Sequence, residues 1–282
     1  MPGYSTTATH QVYDKGDANI AYISLLSLAD SWLNTGAFAK TPLTYRLYHG
    51  FYYSTSVHTV MTLSNRTDIN SLHDLVGKKF FPFTTGSGSQ LLATLVFGEL
   101  GIGDKITERQ MGTDQIVDGL KNGLVDAVWL YITGTLSATW ADLDARVNLR
   151  AVTPNDQEKA VISKIPGIVA PVPVKTAGLF TKNVGVDTIW GTGLLFGMNF
   201  GPGEDEERVY QVVKAWYEHT DELVAVNQTF KEVAEKGVQM TVQAIDSLPN
   251  IPVHPGVAKY LKEKGVWKNT WKVGELYPRP KK

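Results

Sequence analysis

The sequence predicts an α/β protein of two similar lobes, and three observations point there. Short β-rich runs alternate with helical stretches along the chain, a βαβ alternation that implies parallel sheets with helices on both faces. A Gly/Ser turn, Thr84-Thr85-Gly86-Ser87-Gly88-Ser89-Gln90, carries an apolar strand into an apolar helix. The passage Gly16-Asp17-Ala18-Asn19-Ile20-Ala21-Tyr22 is echoed by Gly123-Leu124-Val125-Asp126-Ala127-Val128-Trp129. Each copy ends a helix with Gly, enters a strand through a small polar residue and leaves an aromatic along it. The echo fits two related lobes, although any helix–Gly–strand passage has the same look.

The elements follow in order. Residues 19–23 read as a buried strand, and 59–63 as another after the aromatic Phe51-Tyr52-Tyr53. A turn and strand span 74–83, and a helix spans 89–100, stopped by Gly101. Residues 114–121 are helical, Asn122-Gly123 turns, and 125–130 form a strand. The stretch 153–173, with Pro154, Pro166, Pro171 and Pro173, reads as a loop holding one short helix at 155–163. Residues 204–226 form an amphipathic helix whose acidic first turn suits the helix dipole. Helical patterning continues through 228–242, and the tail from Tyr277 reads as frayed.

Composition removes several classes of function. The 282 residues are 43% hydrophobic and 20% charged, with net charge −1. That balance offers no basic field for nucleic acid. With no Cys, disulfides, thiolate metal sites and Cys nucleophiles are absent. No apolar run reaches the ~18 residues of a membrane span, and Met1-Pro-Gly-Tyr4 lacks the basic and apolar regions of a secretory signal. His10, His49, His58, His73, His219 and His254 form no metal-binding spacing; a structural role is expected for all six, with His254 before Pro255 marking a bend. No metal and no cofactor is expected.

The Gly/Ser turn has two readings. Helix starts leave backbone N–H groups without partners and carry partial positive charge. A turn of Gly and Ser lets a carboxylate or phosphate come close. Alternatively, Ser87 or Ser89 simply caps the helix. Leu91 stands where the last Gly of a G-x-G-x-x-G fingerprint would fall, so a nucleotide is not indicated. A helix N-terminus contributes ~0.3–1 kcal/mol, and ~2 when partly buried. Micromolar affinity needs ~8 kcal/mol, so aromatic walls, further hydrogen bonds and closure must supply the rest. Arg46, Arg66 and Lys175 are candidate charged partners, each equally readable as solvated surface.

Several stretches together resemble one family. They are Gly3-Tyr4-Ser5-Thr6-Thr7, the run 15–24, Asp74-Leu75-Val76-Gly77-Lys78-Lys79, Thr85-Gly86-Ser87-Gly88-Ser89, Asn122-Gly123-Leu124-Val125-Asp126-Ala127-Val128, and the stretch 251–265 containing His254-Pro255-Gly256 and Lys262-Glu263-Lys264-Gly265. In this order the chain resembles the TAXI-type solute-binding subunit of TRAP transporters, which are ion-driven uptake systems. The resemblance implies a two-lobed periplasmic-binding-protein fold (type II-like), each lobe a mostly parallel sheet with flanking helices. Lobe one would hold 1–66 with 196–282, and lobe two 67–195. The implied function is capture of a small organic anion, such as an amino acid, dicarboxylate or keto acid, by a monomer that serves a membrane permease subunit. The implied ligand-binding residues are Tyr4, Ser5, Thr6, Tyr22 and Ser24 from lobe one. Lobe two would add Thr85, Ser87, Gly88, Ser89, Gln90, Trp129, Tyr131 and Thr176. Core packing remains the other reading for Tyr22 and Trp129, and turn chemistry for Ser5 and Thr6. Family precursors carry a signal peptide and a first strand–helix unit ahead of the segment matching Gly3; on that alignment the chain opens late, periplasmic placement depends on an upstream signal, and marginal stability is expected.

Two other classes compete. An enzyme on the same fold would need a nucleophile or acid–base pair in the cleft, and the sequence holds no G-x-S-x-G and no carboxylate beside the Gly/Ser turn. A sensory domain would bring an attached output module, for which no sequence signal is seen.

Overall fold

A computed structural model describes residues 6–279. In chain order its elements are α1 (Thr6–Lys15), β1 (Ala21–Ser24), α2 (Leu25–Leu33), β2 (Tyr48–Leu63), β3 (Lys79–Phe81), α3 (Gly88–Glu99) and β4 (Thr107–Glu108). There follow α4 (Ile116–Lys121), β5 (Ala127–Ile132), α5 (Ala138–Arg146), β6 (Leu149–Val152), α6 (Asp156–Ile162), β7 (Val169–Lys175) and β8 (Thr188–Phe200). The chain closes with α7 (Glu206–Glu218), α8 (Thr220–Val226), α9 (Lys231–Lys236), α10 (Gln239–Ser247) and α11 (Pro255–Glu263). The chain is α/β and divides into two units, one of Met1–Thr55 with Leu195–Lys282 and one of Ser56–Leu194. The sequence puts the first boundary at 66/67; the division falls instead inside β2, a single strand of 16 residues.

In the Ser56–Leu194 unit the strands run β6-β2-β5-β3-β4, and β7 pairs with β8. Its core gathers Met61, Phe81, Val128, Leu130, Trp140 and Leu143, all buried. Each such side chain contributes about 1.5–3 kcal/mol on burial. Helix α3 forms where the sequence predicts it. Ser87 Oγ caps it by accepting from Gln90 N, the face of Leu92, Ala93, Val96 and Phe97 is buried, and Gly101 ends it at φ +69°, a conformation that favours glycine.

In the other unit β1 lies antiparallel to the end of β8, pairing Ala21 with Asn199 and Ser24 with Phe196. Phe51, Phe200, Val209, Val213, Val257 and Leu261 form its core. Helices α7 and α11 meet at Gly256, where a Cβ would stand 2.4 Å from the Glu206 carbonyl oxygen. His254 caps α11 by accepting from Gly256 N at 3.2 Å.

Three expectations need correction. The sheets are not mostly parallel: among the described residues β4-β3-β5 form a parallel set, while β2–β5, β2–β6, β7–β8 and β1–β8 are antiparallel. Strands β2 and β8 run long and uninterrupted rather than entering through a helical crossover, and antiparallel neighbours follow. The Pro-rich stretch holds a strand as well as its short helix. Asn155 and Glu158 form a capping box for α6, and β7 carries Pro171 and Pro173. Among the described residues strand β7 pairs only with β8, and an edge tolerates a missing N–H. The long helix expected at 204–226 breaks at His219 into α7 and α8, and the following stretch breaks at Gly237, φ +50°.

Candidate functional site

The Gly/Ser turn lies in the Ser56–Leu194 unit and is fastened by its own side chains. Phe83, just before it, takes φ +83°, an outlier for a bulky residue. Its ring meets those of Tyr131 at 5.4 Å and Trp140 at 5.9 Å, so packing holds the strained backbone in place. Gly86 turns at φ +76°. The Gln90 side chain closes the turn, accepting from Gly86 N at 2.7 Å and donating to Glu108 Oε1 at 2.6 Å. The amides of Gly88 and Ser89, first and second in α3, have no acceptor within the helix.

Three residues named from the sequence converge on one that was not. Ser89 Oγ lies 2.9 Å from His58 Nε2. The His58 ring stacks on Trp129 at 5.9 Å and meets Tyr131 at 6.0 Å. His58 Nδ1 lies 3.1 Å from the Ser56 carbonyl oxygen. The Thr192 backbone also hydrogen-bonds the ring. Burial lowers the His58 pKa to about 4, against hydrogen bonds to the Ser56 and Thr192 backbone that raise it, and the ring is neutral at pH 7. The sequence put His58 among the structural histidines because nothing near it has ligand spacing. Its place on β2 beside β5 (His58 opposite Tyr131) is a pairing that no local pattern reveals.

The other named residues separate into several roles. Ser87 is the helix cap, the alternative weighed from the sequence. Thr85 is exposed, and Gln90 is half-buried. Trp129 is buried in the core against Phe80 and Phe97. Tyr131 is half-buried. Thr176 donates to the Val186 carbonyl at 2.8 Å and so pins a loop. In the other unit, Ser24 is fully buried and caps α2 by accepting from Ser27 N. Tyr22 is 44% exposed and stacks with Tyr53 and Phe196. Thr6 is buried at the start of α1, and its hydroxyl finds no partner. Tyr4 and Ser5 lie outside the described residues.

Among the candidate cations, Arg66 is committed to Asp68 at 2.8 Å and Asp126 at 2.5 Å. Arg46 lies over the Trp32 ring and donates to Asn34. Lys175 is exposed. Among the described residues no group of His, Asp and Glu is placed to hold a metal ion, and no helix is long and apolar enough to cross a membrane.

Beside His58 a cavity of about 10 Å³ is lined by Thr59, Trp129, Trp190 and Thr192. Thr59 Oγ1 and Trp129 Nε1 are buried without partners. The space is that of one water. A crystal structure at high resolution is expected to hold a water there; an empty cavity would refute this assignment.

Several solved structures are similar to the chain at low identity. MatC from Rhodopseudomonas palustris with bound malate has a TM-score of 0.49 at 14% identity, over 91% of this chain and 82% of that one. A putative L-cystine ABC transporter protein from Listeria monocytogenes gives 0.44 at 14%, over 81% and 73%. The periplasmic aliphatic sulphonate binding protein SsuA from Escherichia coli gives 0.41 at 12%, over 92% and 70%. No curated protein matches the chain. The NMT1-like family matches residues 7–265, and the chain belongs to that family.

Proposed function

We propose that this chain is an extracytoplasmic solute-binding protein that captures a small organic anion and delivers it to the membrane permease of a TRAP-type uptake system. The observation that carries the reading is the pair of helix-opening amides at Gly88 and Ser89. They stand behind a glycine turn that Gln90 and the Phe83 backbone hold in one shape. Such a turn suits a carboxylate. Membership of the NMT1-like family over residues 7–265 and the motif order shared with TAXI-type subunits support the transport role. The ligand classes are amino acids, dicarboxylates and keto acids, and the protein works as a monomer. Thr85, Ser87, Gly88, Ser89 and Tyr131 are the residues of this unit assigned to the ligand.

Ser89 with His58 is also the pairing of a nucleophile and its base. Two facts favour binding over catalysis. The Ser89 residue is only 9% exposed, and His58 Nδ1 is held by a backbone carbonyl rather than by a carboxylate that would stabilise an imidazolium.

Calorimetric titration of the three ligand classes tests the proposal. At least one member should bind without turnover. Replacing Ser87 and Ser89 by Ala together should weaken that binding by about 1–3 kcal/mol, in protein whose circular dichroism confirms folding. Turnover of a ligand would establish an enzyme, and unchanged affinity in the double variant would remove the turn from the site.

A further inference from the structure

We propose that the unit of Met1–Thr55 with Leu195–Lys282 carries a small-molecule site of its own, in which Arg46 holds the carboxylate of an aromatic acid against the Trp32, Tyr48 and Tyr277 rings. A cavity of about 310 Å³ is lined by Trp32, Leu43, Thr44, Arg46, Tyr48 and Tyr277. All six belong to this unit, whereas the Gly/Ser turn belongs to the other. Pockets for small organic ligands run to about 300–1,000 Å³, with mostly apolar walls and a few placed polar groups. This cavity suits the smallest members of that class.

The local sequence builds the walls. Thr44, Arg46 and Tyr48 line the cavity, while Tyr45 and Leu47 between them are buried, the two-sided alternation of an extended chain. The Trp32 indole N–H donates to the Leu47 carbonyl at 2.7 Å, which fixes that ring. The Tyr48 ring meets it at 6.2 Å. The last wall comes from the end of the chain. Tyr277 N donates to the Pro202 carbonyl at 2.9 Å, and the Tyr277 ring meets Tyr45 edge-on at 5.8 Å.

Arg46 carries the one charge in the lining. Its partners among the described residues are Asn34 Oδ1, at 3.0 Å from Nη2, and the Trp32 ring, at 5.6 Å. Neither is ionised, and a guanidinium has five N–H donors. The neighbouring Asp14 carboxylate is committed elsewhere: its Oδ1 accepts from Thr44 N, Thr44 Oγ1 and Tyr45 N. Those bonds spend the Thr44 hydroxyl hydrogen. The Tyr48 hydroxyl donates to the Glu275 carbonyl at 2.9 Å and also meets the Tyr277 side chain. Donors for an anion therefore come chiefly from Arg46, whose planar fork matches a carboxylate. Three rings beside that fork favour a flat aromatic body over an alkyl chain.

Benzoate, phenylacetate, benzamide and cyclohexanecarboxylate make the test, titrated into the whole chain while NMR follows the Trp32 indole N–H and the Arg46 Nε–H. Benzoate or phenylacetate should shift both signals. The better of the two should bind about tenfold or more tighter than benzamide, which keeps the ring and lacks the charge. It should also bind several-fold tighter than cyclohexanecarboxylate, which keeps the charge and lacks the aromatic face. Arg46→Gln should remove the advantage of benzoate over benzamide, and Arg46→Lys, with the charge but not the fork, should keep only part of it. Equal binding of benzoate and benzamide, or an affinity for benzoate unchanged in Arg46→Gln, would overturn the inference. So would aromatic acids that leave both signals unmoved at millimolar concentration, or that shift the Gly88 and Ser89 amides instead. The solute-binding reading stands or falls separately, on its own ligands.

Discussion

Acidification from pH 7 should unfold this protein near about pH 5, and the unit of Met1–Thr55 with Leu195–Lys282 should go first. Four histidines are buried: His10, His49, His58 and His254, each no more than 1% exposed. Burial lowers the pKa to about 3 for His10 and to about 4 for His49, His58 and His254. In the unfolded chain each returns to about 6.5. The unfolded state therefore takes up protons first as pH falls. The stability is fully present above about 6.5 and is lost down towards the folded values. Four groups acting together cost about 5 kcal/mol per pH unit, against a net stability of ~5–15 kcal/mol.

Three of the four, His10, His49 and His254, lie in the Met1–Thr55 with Leu195–Lys282 unit and only His58 in the other. His254 also uses a neutral Nδ1 to cap α11, with Nε2 facing the Glu204 carbonyl. Protonation at Nδ1 would remove that acceptor. Hydrogen exchange along a pH series should show α1, α7 and α11 losing protection before β3, β5 and α3. His254→Asn keeps a capping side chain and removes the titrating group, so its stability should fall less steeply with pH, by about 1.4 kcal/mol per unit. A chain that stays folded to pH 3.5, or takes up no protons on unfolding between pH 4 and 6.5, would contradict this.

The parts of the fold legible in the sequence are those written by local chemistry. Helix α3 could be bounded because Ser87 and Gly101 are punctuation that acts within a few residues. The Gly16 and Gly123 passages also kept their local form: each Gly takes positive φ after a helix, and β1 and β5 follow. Their surroundings differ, since Tyr22 is exposed where Trp129 is buried. What stayed hidden depends on partners distant in the chain. Strand β8 carries Gly191, Gly193 and Gly197, residues that weaken a strand by propensity. Two of those, Gly191 and Gly197, meet backbone atoms of β2, a contact with no local signal. In the site, the sequence named Ser89, Trp129 and Tyr131 but not His58, whose role comes from β2 lying beside β5. It also read Ser24, Thr176 and Arg66 as ligand candidates, whereas a cap, a loop bond and two carboxylates occupy them. Side-chain type alone does not reveal which hydrogen bonds are already spent.

Gly197→Ala and Gly50→Ala should each be severely destabilising, more so than most single substitutions in the hydrophobic core. The backbones of β2 and β8 approach so closely here that a Cβ at Gly197 would stand 2.2 Å from the Phe51 carbonyl oxygen and 2.9 Å from the Tyr52 Cα. A Cβ at Gly50 would stand 1.8 Å from the Met198 carbonyl oxygen. The obstructing atoms are backbone, so no rotamer change relieves the overlap. The strands would have to separate. Separation would strain the buried Asn199 bonds, in which Oδ1 accepts from Gly50 N at 3.0 Å and from the Tyr52 hydroxyl at 3.2 Å. It would also open the ring contact between Phe51 and Phe200 at 6.2 Å. Overpacking a tight site costs about 1–3 kcal/mol and sometimes more, and stranded polar groups add about 1–3 kcal/mol. Against the same net stability, either variant should unfold at far lower urea or fail to accumulate as folded protein. Gly98→Ala is the matched control. Gly98 lies within α3 with nothing within 4 Å of a new Cβ, and the same substitution there should raise stability by about 0.5–1 kcal/mol. A Gly197→Ala protein with the unfolding midpoint of the parent would mean that β2 and β8 do not touch at these glycines.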